Sequence, residues 1–374
     1  MIRLVAAIRK EFRQFLRDRV LLALIVFIYT ADVVMCTAAL SFDVRNLKLV
    51  VYDSDRTELS ARLVDRFRAT DYFRLLLPAA SLPAIDGMLD AGRADLALVI
   101  PAGFAADVGS GRSPQVQVIL SGTNSNTANA ARGYAQAIVG GFAHEVMVQQ
   151  AARQGLTGTL PGVRAETRIW YNPQLEFKHF MAVSMIVVAS ALVGIVTAAA
   201  GLVREKESGT IEQLIVTPLR SHELIVAKAA PPLVIGMVAL VPSLMIGRWF
   251  GVPMPGDLTL FFAASAIGLT AFLSIGFLIG TLAQNLQQAL LLSFLVLFPL
   301  MFLSGTTVPV ESMPTFMQWL ASLSPVRHYM EIGLGVLMKG VGIRVLWTHF
   351  AMLAGTTAML GTWSVMRLRR QLYA

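Results

Sequence analysis

Hydrophobic positions along this chain follow more than one rhythm, and the changes of rhythm divide it. Residues 1–19, MIRLVAAIRKEFRQFLRDR, set Ile2, Val5, Ile8, Phe12 and Phe15 with Leu16 at spacings of three and four, with basic residues on the other face. That spacing predicts an amphipathic elbow helix lying on a membrane surface. From 20 to 40 the apolar positions become continuous, broken by one charge, Asp32. Five further apolar runs lie near 180–203, 229–247, 258–282, 288–310 and 345–366. Each approaches the ~20 residues an α-helix needs to cross ~30 Å of hydrocarbon. The pattern predicts an α-helical membrane protein with about six transmembrane helices.

Between the first two runs, over 41–178, charges return and short segments alternate. Residues 47–53, 72–77, 95–100 and 116–120 read as strands, 57–69 and 82–91 as helices, and roughly 127–154 as one long helix. Alternation of this kind predicts an inserted α/β domain. Residues 179–374 then form a five-helix membrane region. Within it, 304–343 carries Pro309, Pro314, Trp319, Pro325 and Tyr329, which predicts short helices dipping into or lying along the outer interface.

Composition strengthens the membrane reading. The 374 residues are 55% hydrophobic and 14% charged, with mean hydropathy +0.64, too apolar for a charged, water-facing surface. The net charge of +8 raises nucleic-acid binding as a question, and its distribution answers it. Segments 1–19, 204–228, 283–287 and 367–374 hold 13 Lys and Arg against 6 Asp and Glu, whereas 41–178 holds 14 against 13. This is the bias of cytoplasmic loops, so both termini are expected inside and 41–178 outside. The 283–287 connection has no basic residue, and its inside placement follows from parity alone.

The single cysteine, Cys36, precludes a disulfide within the chain, and the five histidines lack ligand spacing, so no metal is expected. No G-x-x-x-x-G-K-[ST] loop, G-x-S-x-G elbow or Ser/His/Asp arrangement occurs. No catalytic residue and no cofactor is therefore expected in this chain. Asp32, a charge inside an apolar run, and Pro299, a kink in the fifth run, are candidates for a translocation path.

The densest charge in the membrane half is the loop after the second run, Arg204-Glu205-Lys206-Glu207-Ser208-Gly209, continuing Thr210-Ile211-Glu212-Gln213-Leu214-Ile215-Val216-Thr217-Pro218. Gly209 suits the end of one helix and Thr210 the cap of a second. Ile211, Leu214 and Ile215 would give that second helix an apolar stripe, and Pro218 would stop it. On the residues alone this is either a short helix offered to a partner or a solvated turn. The string REKESGTIEQLIVTPLRSHELIVAK, with Pro231 beyond it, resembles the signature loop of type-2 ABC-transporter permeases, R-E-[RK]-E-x-G-T-x-E-x-L-x-x-T-P. The resemblance extends to the elbow helix, the IPAGF turn at 100–104 and the stretch at 312–331, and points to the bacterial drug-efflux and secretion subfamily.

That resemblance implies a permease subunit of an inner-membrane exporter of hydrophobic or amphiphilic compounds, working by alternating access. It implies that Gly209 to Val216 form a coupling helix docking on a separate ATPase subunit, two per complex, which binds ATP and Mg. Within the matching string Glu205, Lys206, Glu207, Gly209, Thr210, Ile211, Glu212, Leu214, Thr217 and Pro218 are the expected coupling residues. It further implies a second permease, an identical chain or a sister, with substrate passing chiefly along the second and fifth spans. A periplasmic adaptor and an outer-membrane duct are further candidate partners. Leu334 departs from the family pattern, which often places a basic residue there. The alternative reading is an ATPase-coupled mechanotransducer or scaffold acting through the inserted domain.

Overall fold

The computed structural model describes residues 2–39, 46–76, 78–121, 125–153, 171, 176–209 and 221–373. The chain forms two units, one of residues 42–168 and one of residues 1–41 with 169–374.

In the smaller unit, β1 (Leu47–Asp53) is central, flanked by β2 (Phe73–Leu75) and β3 (Leu96–Ile100) in parallel; β4 (Gln117–Leu120) adds antiparallel to β3, giving the order β2-β1-β3-β4. Alternation along β1 sorts its side chains. Leu47, Leu49 and Val51 face one core with Leu63 and Phe67 of α3 (Glu58–Arg68) and Ala131 and Phe142 of α6 (Ser125–Arg153). Val50 faces the other way, with Ala97 and with Ile85 of α4 (Leu82–Asp90). The sheet is thus covered on both faces, as parallel strands require. Thr57 caps α3 through a reciprocal bond pair with Ser60. The structure adds α5 (Phe104–Gly109), a single-turn helix not predicted from the sequence, entered through Gly103 at φ +79°. The predicted strand over 72–77 shortens to Phe73–Leu75, although the Leu76 amide still donates to Leu49 O (2.8 Å).

The larger unit starts with α1 (Ile2–Arg17) and α2 (Arg19–Ala39). It continues with α7 (Phe177–Glu207), α8 (Ser221–Trp249), α9 (Leu258–Leu282), α10 (Leu286–Phe302), α11 (Thr315–Leu323), α12 (Pro325–Leu334) and α13 (Ile343–Tyr373). Among the described residues, four helices are long and apolar enough to cross a membrane: α2, α7, α9 and, within α8, His222–Trp249. The 17-residue α10 and the 31-residue α13 occupy the places of the fifth and sixth predicted runs. α10 ends at Phe302, short of the predicted 310, because Gly305 turns the chain at φ +90° and Pro309 follows.

At the centre lies α7, whose run of Ala, Val, Ser and Gly leaves little side chain to hold neighbours away. α9 packs directly along it. A Cβ added to Gly194 of α7 would sit 2.7 Å from Phe272 Cβ, and one added to Gly276 of α9 would sit 2.7 Å from Ala198 Cβ. The G-x-x-x-G of Gly276 and Gly280 is therefore an intramolecular packing surface. Buried hydroxyls return their protons to carbonyls one turn back, as Ser190 does to Ile186 O and Ser265 to Phe261 O, both within 2.8 Å. The same two serines tie in two wholly buried tyrosines, Tyr29 (3.2 Å to Ser190) and Tyr329 (2.8 Å to Ser265). Two buried polar pairs thereby tie α2 to α7 and α9 to α12 inside an otherwise apolar core.

α2 is interrupted by a π-turn over Ile28–Asp32. Such a turn frees a carbonyl from its usual partner. Here the Tyr29 carbonyl accepts instead from the Ser243 hydroxyl of α8.

Candidate functional site

Four successive residues at the end of α7 each engage a different element. Along a helix, consecutive side chains diverge by about 100°, so Arg204, Glu205, Lys206 and Glu207 reach around the axis rather than along one face. Arg204 Nη1 donates to Asp18 Oδ2, at the junction of α1 and α2. Glu205 Oε1 lies 2.5 Å from Lys228 Nζ of α8, and Lys228 lies 3.5 Å from Glu11 Oε1 of α1. Lys206 Nζ donates to Thr281 O and Ala283 O, at 3.2 and 3.1 Å, closing the C-terminus of α9. Glu207 Oε1 accepts from the Leu286 amide at 2.8 Å, the first residue of α10.

Each contact suits the physics of the helix end it meets. The exposed carbonyls ending α9 carry partial negative charge and take an ammonium; the orphan amides opening α10 take a carboxylate. Asn285 completes the α10 cap by accepting from Gln288 N (2.9 Å). Glu205 and Lys228 retain only 6% side-chain exposure each and Glu11 13%, so their pairing is largely shielded from water. Beside them α1, α7, α8 and α9 leave a cavity of about 170 Å³ walled by Phe15, Pro231, Pro232 and Phe277.

Asp18 serves twice. Its Oδ1 caps α2 by accepting from Leu21 N (3.0 Å), and Oδ2 receives Arg204. The Leu21 amide above all holds its carboxyl below the usual carboxylate range; burial opposes it, and Arg204 adds to the lowering. A depressed carboxylate adds stability that is present above the ordinary pKa and lost as pH falls through the folded value. Asp18→Ala is expected to cost about 1 kcal/mol from the cap alone. Its thermal midpoint should fall by a few degrees near neutral pH. The wild-type advantage should vanish on acidification below pH ~4, read by thermal unfolding in detergent across pH.

Of the residues singled out in the sequence, Glu205, Lys206 and Glu207 are drawn into this knot. α7 ends at Glu207, and Gly209 follows at φ +67°, its amide donating to Lys206 O (3.2 Å). Thr210, Ile211, Glu212, Leu214, Thr217 and Pro218 lie outside the described residues. Asp32 and Pro299 do not join the network. Asp32 is half-buried in the π-turn of α2, where Oδ1 accepts from Cys36 Sγ at 3.6 Å, and Pro299 is exposed on α10, which continues past it to Phe302. Sequence reasoning missed Glu11, Asp18 and Lys228 as partners. For Asp18 and Lys228 the available signal was their position, charges bordering apolar runs where an unpaired ion is costly.

The comparisons agree with this architecture. The profile of the ABC-2 family transporter proteins matches residues 20–365. The inner membrane transport permease YhhJ of Escherichia coli (strain K12) is 33% identical over 368 residues, covering 96% of this chain and 95% of that protein. The probable multidrug ABC transporter permease YbhR of the same organism is 30% identical over 372 residues, 99% of both chains. The ABC transporter G family member 20 of Dictyostelium discoideum is 22% identical, covering 92% of this chain but 48% of its own length. A helical membrane unit with an inserted sheet domain, matched almost end to end by permeases, places this chain in the ABC-2 family of transporter proteins as a multi-pass membrane transport permease.

Proposed function

We propose that this permease is driven by a separate ATPase subunit docking on the connection between α7 and α8, with the 204–207 knot passing that motion to the membrane helices. The observation that supports it is the division of contacts: one charged stretch is anchored to the α1–α2 junction, α8, α9 and α10, and through Lys228 to α1. A displacement applied just beyond Gly209 would pull on all of them together. In this reading Gly209, Thr210, Ile211, Glu212, Leu214, Thr217 and Pro218 belong to the docking segment. Glu205, Lys206 and Glu207 act behind it as the transmitting end.

The cargo is a hydrophobic or amphiphilic compound, in keeping with the multidrug designation of the relative YbhR, exported from the cytoplasm or inner leaflet. The termini face the cytoplasm and residues 41–178 the outside. ATP and Mg belong to the partner subunits, two per complex, and a second permease, the same chain or a sister, completes the pathway. The candidate path includes Asp32 and Pro299. A periplasmic adaptor and outer-membrane duct remain part of the proposal for a double-membraned cell.

Affinity purification of the tagged chain from native membranes, followed by mass spectrometry, tests the central claim. An ATPase subunit should co-purify, and its recovery should collapse when Gly209 and Glu212 are replaced together. Undiminished recovery and normal transport in that double variant would refute the docking assignment. Hydrolysis without solute movement in reconstituted vesicles would favour the mechanotransducer.

A further inference from the structure

Helix α6 is longer than the sheet it covers. Its 29 residues extend about 43 Å at ~1.5 Å per residue, whereas the 7-residue β1 reaches only about 23 Å. Its early residues Ala131 and Ala135 join the sheet core. Farther on, Val139, Phe142 and Val146, with Leu63 of α3 and Phe104 and Val108 of α5, line a cleft of about 290 Å³ whose floor is the edge of that core. The far end of the helix is held at its distance by charge and amide contacts. Glu145 pairs with Arg62 (3.1 Å) and Arg66, and Gln150 Nε2 donates to Val108 O. The cleft is thus built into the frame of the unit.

Protein interiors are close-packed, and an apolar hole of ~150 Å³ already stays dry and takes up benzene. This cleft is of comparable scale, about 290 Å³, and open to solvent on one side. Its polar groups, Arg112, Ser113 and Gln150, are few against an otherwise apolar lining, and among the described residues no carboxylate lines it. Arg112 stands at the open rim, its side chain 71% exposed, its Nη2 paired with Asp107 Oδ1 (2.6 Å) and its Nε donating to Ser110 Oγ (3.2 Å), with Nη1 unpartnered among the described residues. An apolar lining with a guanidinium at its rim selects a particular chemistry. It fits a molecule with an apolar body and a neutral or anionic end, and disfavours an ammonium head.

We propose that the cleft between α3, α5 and α6 binds one amphiphile, its apolar body against Phe104 and Phe142 and its neutral or anionic end toward Arg112 and Gln150. The proposal rests on the geometry of this unit alone and stands or falls independently of the ATPase-coupled reading.

The test uses the full chain in mild detergent with a medium-chain carboxylate bearing a photoreactive diazirine near its tail, and adducts mapped by mass spectrometry. Labelling should concentrate at 104–116 and 139–150. It should be displaced by the unlabelled carboxylate and not by the trimethylammonium amphiphile of equal chain length. Ala143 lines the cleft and is solvent-exposed, so a larger side chain there fills space without displacing core atoms. Ala143→Trp should cut labelling at these segments about tenfold or more, while Ala143→Ser leaves it intact and both variants keep the wild-type thermal midpoint. Equal labelling in Ala143→Trp, or equal displacement by the ammonium amphiphile, would overturn the proposal. So would a photocrosslinker at residue 143 that captures another polypeptide in native membranes, since that would identify a protein occupant.

Discussion

Lys228→Met is expected to lower the thermal midpoint of the detergent-solubilised permease by roughly 10 °C, the consequence of removing one partner of a buried ion pair at about 3–5 kcal/mol. Methionine preserves most of the lysine's length and apolar stem, so the loss is chiefly electrostatic. What remains is worse than an absent bond. Glu205 and Glu11 would face each other with 6% and 13% side-chain exposure and without the cation between them. Glu205→Gln should be milder, because Lys228 keeps Glu11 at 3.5 Å. The double variant Glu205→Gln with Lys228→Met should recover part of the loss, since buried pairs replaced by neutral side chains are often tolerated. That double variant separates two roles of the knot. If it is stable and still transports, the pair serves only to hold the fold; if it is stable and inactive, the charge pair carries motion. A midpoint for Lys228→Met within about 2 °C of wild type would show that the pair is not the clamp its geometry describes.

Much of this architecture is written in local pattern. The continuous apolar runs located the long helices, and short apolar segments bounded by turn residues, at 47–53 and 95–100, located β1 and β3, because both signals come from burial. Features that depend on two distant segments were less legible. Nothing in the sequence around Tyr29 announces a π-turn, whose freed carbonyl is tolerated because Ser243 of another helix meets it. Residues 204–207 stood out as a dense charge cluster, and a solvated or partner-facing stretch was the natural expectation. Their partners Asp18, Lys228, Thr281, Ala283 and Leu286 come from distant stretches of chain, and Glu11 joins only through Lys228. An isolated charge pattern cannot reveal which opposite charge or helix end will reach it. α5 escaped for a different reason: a six-residue helix carries too few turns to show periodicity.

Replacing Gly276 is expected to be more damaging than replacing Gly280, even though both belong to one G-x-x-x-G on α9. A Cβ at Gly276 would fall well inside the contact distance of the Ile195 carbonyl oxygen and 2.7 Å from Ala198 Cβ. Both obstacles belong to α7, and the first is backbone, which cannot rotate aside. A Cβ at Gly280 would meet Leu202 Cβ at 3.0 Å and Ala199 O at 3.2 Å, distances that a small displacement relieves. Gly280→Ala should cost about 1 kcal/mol, whereas Gly276→Ala should exceed about 3 kcal/mol, beyond ordinary overpacking, because two buried helices must move apart. Gly276→Val should yield little monodisperse protein on size exclusion. The comparison also separates packing within one chain from packing between two. A glycine pair serving contact between permeases would leave a folded, separable subunit when altered, with the thermal midpoint of the isolated chain unchanged. The position of Gly276 against Ile195 predicts the opposite, loss of the fold before any change of assembly, and a Gly276→Ala chain that stays folded as a lone subunit would mean that α7 and α9 do not approach this closely.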